Sequence, residues 1–131
     1  MTKPPLVCIK TLLELEASLG GEWQLTRNFV SRYVEMWPER FERIHAAVTA
    51  GNNAEALDSA LSLRSSALMV GAARLGKLTS DLIEPLECRS YSEATMKMAS
   101  LKSCGNCTAV QLRTLHLPIN SPKNTTSDGA L

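Results

Sequence analysis

The chain has 131 residues, 44% of them hydrophobic, so one globular domain with its own core is the simplest reading and disorder of the whole chain is excluded. Its 14 basic and 13 acidic residues nearly cancel, whereas a dedicated nucleic-acid binder carries a clear basic excess. No stretch approaches the ~20 consecutive apolar residues that cross a bilayer, and the opening MTKPPLVCIK lacks the apolar core of a signal peptide. The expectation is therefore a cytoplasmic protein, free of membrane, whose four cysteines are free thiols.

Leu6, Ile9, Leu12, Leu13 and Leu19 recur at helical spacing and predict a short first helix, closed by Gly20-Gly21. A second helical segment runs from about Glu22 through Met36 with Trp23, Leu25, Phe29, Val30, Tyr33 and Val34 as its apolar set. Trp37-Pro38 then predicts an interruption or kink, because proline removes a backbone donor and crowds the preceding turn. Phe41, Ile44 and Val48 resume the pattern until Gly51-Asn52-Asn53 stops it. A third segment spans Ala54 to about Met69, and Gly71 leads into a fourth carrying Leu75, Leu78, Leu82 and Leu86, with Pro85 near its end. The last helical piece covers about Ser92 to Leu112, packed by Met96, Met98, Leu101 and Val110 and weakened at Gly105-Asn106. Residues 115–131 are rich in Pro, Ser, Asn and Thr and read as a mobile tail, leaving 1–114 as the domain. Strand signals and internal repeats are absent. Amphipathic helices on short connections predict an all-α, antiparallel four-helix bundle with an additional short N-terminal helix, since each apolar stripe needs a facing partner.

Residues 47 to 86 carry more than fold class. AVTAGN before the third helix, ALSLRSS within it, and GAARLGKLTSDLIEPLE after it together resemble the central half of histidine phosphotransfer (HPt) domains. That family consists of four-helix bundles relaying a phosphoryl group between receiver-domain aspartates in two-component signalling. The resemblance extends over about residues 6 to 112, with its specific part confined to 47 to 86. Ala60, Ser62, Leu63, Arg64, Ser65, Ser66, Gly71 and Ala72 fall on family positions, and the phosphorylatable histidine falls on Leu61.

An acceptor in this chemistry is a nucleophile with an accessible lone pair, which imidazole supplies and an isobutyl group lacks. Leu61 cannot carry phosphate. Arg64, one turn on, matches the basic residue that the family uses to hold phosphoryl oxygens through charge-assisted hydrogen bonds. The remaining histidines, His45 and His116, stand outside the family pattern and are not convincing replacements. The resemblance implies a non-enzymatic, cofactor-free pseudo-phosphotransfer protein that binds a response-regulator receiver domain or a sensor histidine kinase.

On a helical wheel Ala56, Ala60, Leu63 and Ala67 make one face, with Leu57, Leu61 and Leu68 beside it and Arg64 among them. Periodicity leaves open whether the second stripe is buried; the resemblance implies that it points to solvent. Leu57, Leu61, Arg64, Ser65 and Leu68 are thus the candidate docking surface and vestigial phosphate site, and a homodimer interface is another use for such a stripe. From a different class comes Cys104-Gly-Asn-Cys107, which is either a redox pair, half a metal site, or two thiols on a helix. No second pair at ligand spacing is present to complete a zinc tetrad.

Overall fold

The computed structural model describes residues 4–115 and, among these, contains five helices and no strand. They are α1 (Ile9–Ser18), α2 (Trp23–Ala50), α3 (Asn53–Met69), α4 (Ala73–Glu87) and α5 (Tyr91–Leu115). Helix α2 packs on α3, α3 on α4, α4 on α5 and α5 back on α2, which closes a four-helix bundle; α1 lies against α2 and α3. Two- and three-residue connections force each bundle helix antiparallel to the one before it. The tail expected over 115–131 lies outside the described residues, apart from Leu115 at the end of α5.

Each connection is built by local chemistry. At the end of α2, Gly51 adopts φ 71° while its N–H donates to Val48 O and the N–H of Asn52 donates to Ala47 O, a Schellman closure. Asn52 then caps α3, its Oδ1 accepting from the N–H of Glu55 at 3.2 Å. Arg89, at φ 58°, closes α4 in the same way without a glycine, as the N–H of Ser90 donates to Pro85 O. Pro85 therefore sits inside the last turn of α4, and the helix stops two residues beyond it.

Of the interruption or kink expected at Trp37-Pro38, the interruption does not occur. Helix α2 is one element of 28 residues that passes through Pro38. The proline itself is exposed, so its ring displaces no packed neighbour even though it removes the donor to the carbonyl one turn back. Trp37 and Phe41, both buried, anchor the helix on either side of it.

The core is one contiguous cluster running from Val7 and Leu12 through Ile44, Leu63, Leu75, Leu82 and Leu86 to Leu101 and Leu112. Five residues of the expected apolar sets are exposed instead: Ile9, Leu13, Leu25, Met96 and Val110, at 51%, 60%, 47%, 79% and 60%. In α1 the buried stripe is Leu12 and Leu15, and in α5 it follows Ala94, Met98, Leu101, Thr108 and Leu112. Gly105-Asn106 leaves α5 unbroken.

Candidate functional site

Helix α3 combines two apolar faces of opposite character. Ala56, Ala60, Leu63 and Ala67 are wholly buried, and the three alanines let neighbouring helices approach closely. The larger leucines stand on the adjacent stripe, where Leu57 is half-buried against the core while Leu61 and Leu68 are 43% and 50% exposed. Arg64 is half-buried between them and has no ion pair among the described residues; Ser65 is exposed at the stripe's edge. The spacing 57, 61, 64, 68 is that of one helical face, so the structure brings four of the five candidates together and sets Ser65 beside them.

Leu68 reaches α4. A Cβ placed on Gly76 would stand 2.7 Å from Leu68 Cδ2, so this glycine makes room for the leucine to lie over α4. Gly76 has only a weak signal in the sequence, a glycine inside an otherwise good helical pattern. On the other flank of α3, Arg40 Nη1 donates to Ser62 Oγ at 3.2 Å, and Ser66 Oγ donates to the Ser62 carbonyl at 3.1 Å. The basic residue and serines around position 61 thus belong to two surfaces, one toward α4 and one toward α2.

Chemically, the stripe offers a guanidinium with free donors in an apolar setting and no nucleophile at position 61. His45 is on exposed α2 surface, its ring stacked on Phe41 at a centroid distance of 5.8 Å. His116 lies outside the described residues.

The cysteine pair sits elsewhere. Cys104 and Cys107 line a cavity of about 550 Å³ between α4, α5 and the N-terminal segment, together with Leu6, Arg74, Lys77 and Leu78. Cys104 is buried with its Sγ 3.9 Å from Thr108 Oγ1, and Cys107 is exposed. Burial pushes the Cys104 thiol above its ordinary pKa, with the Thr108 contact opposing, which lowers its thiolate fraction. Among the described residues no three His, Cys, Asp or Glu side chains stand together as a metal site.

A closed bundle of four antiparallel helices with a short leading helix, bearing this stripe on α3, is an HPt-like fold. The crystal structure of histidine-containing phosphotransfer protein B (HptB) from Pseudomonas aeruginosa PAO1 is similar to it, with a TM-score of 0.77 over 86% of this chain and 96% of that one. The two are 18% identical, so the likeness is one of fold. No family model matches the chain, and no curated protein matches it. No helix among the described residues is long and apolar enough to cross a membrane.

Proposed function

We propose that this chain is a signalling protein of the two-component phosphorelay type that binds a receiver domain through α3 and does not itself accept phosphate. It acts by occupancy, competing with an active relay or holding partners together, and performs no catalysis. The observation that supports this reading is Leu61, 43% exposed beside Arg64 on the bundle surface, at the position where the HPt resemblance puts the acceptor. A sensor histidine kinase would meet the same stripe.

Arg64 also weighs against self-association through this face. In a two-fold interface the stripe would meet its own copy, and a half-buried cation with no carboxylate on the stripe would be desolvated beside its equivalent. A receiver domain, whose phosphorylation site is acidic, complements it.

The test is binding of purified receiver domains, activated by a phosphate mimic, measured by calorimetry. Saturable binding that weakens about tenfold in Arg64→Glu is expected, the size of one lost charge-assisted contact. Absence of saturable binding to every receiver encoded near the gene would count against the reading. Light scattering of the isolated protein distinguishes a dimer.

A further inference from the structure

The groove between α2 and α3 contains a second feature, separate from the Leu61 stripe. A cavity of about 210 Å³ is lined by Phe29, Arg32, Tyr33, Met36, Arg40 and Ser66. Two of its six lining residues are arginines and none is acidic. Arg32 has no ion pair among the described residues, and Arg40 makes only the hydrogen bond from Nη1 to Ser62. Its Nε is buried without a partner among the described residues, and so is the hydroxyl of Tyr33, a residue 5% exposed.

One step along the groove the situation differs. There Arg43 contacts Glu55 and Asp58, and the adjoining cavity has Glu39 and Glu42 in its wall. Arg43 is thus ion-paired, whereas Arg32 and Arg40 make no ion pair among the described residues, although Arg40 also borders the cavity that holds Glu39 and Glu42. Burial drives the Tyr33 phenol well above its ordinary pKa, against the lowering influence of Arg40, so it remains a protonated donor. The Ser66 hydroxyl is already committed to the Ser62 carbonyl and serves as a small wall. Phe29 and Met36 complete the lining with apolar surface.

We propose that this pocket is a binding site for a small organic oxyanion, a carboxylate or phosphate monoester carried on a compact apolar body. The anion would face the Arg40 and Arg32 guanidiniums, with the apolar body against Phe29 and Met36. The buried Arg40 Nε and Tyr33 hydroxyl are donors shielded from water, Arg32 stands at the exposed rim, and arginine forks suit both head groups. The site is independent of receiver binding and stands or falls separately from it.

Titration of the ¹⁵N-labelled protein at low salt with benzoate and with phenyl phosphate tests it, benzyl alcohol and inorganic phosphate serving as controls. Saturable shifts are expected in the Arg40 Nε–H signal and in amides of α2 and α3 that border the pocket. Affinity should fall about tenfold in Arg40→Gln and also drop in Tyr33→Phe and Arg32→Gln, while Arg113→Gln, on exposed α5 surface, leaves it unchanged. Tighter binding of one probe identifies the head group. No saturable shift up to about 10 mM of either anion, equal binding of benzyl alcohol, or affinity unchanged in both arginine variants would overturn the proposal.

Discussion

Trp37 of α2 lies against Gly105 of α5 so closely that a Cβ added to the glycine would fall 1.8 Å from Trp37 Cζ2. The next residue completes the contact, since the indole Nε1 donates to Asn106 Oδ1 at 2.8 Å. Glycine inside a helix costs about 1 kcal/mol relative to alanine, and here its absence of a side chain lets the indole close the seam between the second and last helices of the chain. Gly105→Ala should therefore destabilise the protein, by about 2 kcal/mol once the propensity gain is set against overpacking. Urea unfolding measures this, and a variant as stable as the parent would show that the indole relocates at little cost.

The same pair shows what was legible in the sequence. Helix number, order and connections follow from apolar spacing and from Gly51 and Gly71, and the described fold agrees. Gly105-Asn106 looked like a weakness and Trp37-Pro38 like a break because the partners of each are distant in the chain, and local patterns carry no such information. In α3 the size pattern is inverted: the alanines are buried and Leu61 and Leu68 are exposed. Periodicity leaves the burial of the Leu57, Leu61 and Leu68 stripe open, and only the family resemblance points it outward. The Arg40–Tyr33 pocket had no sequence signal, since it depends on which polar atoms are left without partners by packing.

Gly71 separates backbone strain from steric contact. It adopts φ 80°, its carbonyl accepts the N–H of Cys8 at 2.6 Å, and an added Cβ would stand 2.7 Å from the Cys8 carbonyl oxygen. Gly51 has a similar φ of 71° with nothing within 4 Å. Alanine at Gly51 should cost the left-handed penalty alone, about 1 kcal/mol. Alanine at Gly71 should cost more and also loosen the Cys8 contact. Amide exchange at Cys8 and Leu12 should accelerate in the Gly71 variant alone; equal behaviour of the two would show that the Cys8 contact contributes nothing.

Glu55 links the α3 cap to acid stability. The hydrogen bond from Arg43 is the main cause holding its carboxyl below the ordinary pKa, with the Arg43 charge and Ser59 adding to it against desolvation. A group whose folded pKa is depressed contributes stability above its unfolded pKa and loses it as pH falls through the folded value. Stability should thus decline from about pH 4.5, the ordinary value for this group, downward. Glu55→Gln should flatten that limb, and should differ little from the parent well below it. An identical acid limb in chemical unfolding curves would assign the loss to other carboxylates. The effect should shrink in high salt, as Arg43 and Glu55 are both accessible to solvent.

The decisive substitution is Leu61→His. Leu61 is 43% exposed, so the change leaves the core intact and should alter stability by no more than about 0.5 kcal/mol. Leu63→Ala, two residues along and wholly buried, should cost about 2–5 kcal/mol and serves as the contrast. With the fold preserved, an imidazole at 61 would share its helical face with Arg64, three residues away, where the guanidinium can meet phosphoryl oxygens. Transfer of label from a phosphorylated receiver to Leu61→His, and none to the parent, is the expected result. Adding Arg64→Glu to that variant should suppress uptake, because it replaces attraction for the phosphoryl group with repulsion. A folded Leu61→His protein that binds the receiver and takes up no phosphate would show that the surroundings of position 61, as well as the acceptor, have departed from phosphotransfer.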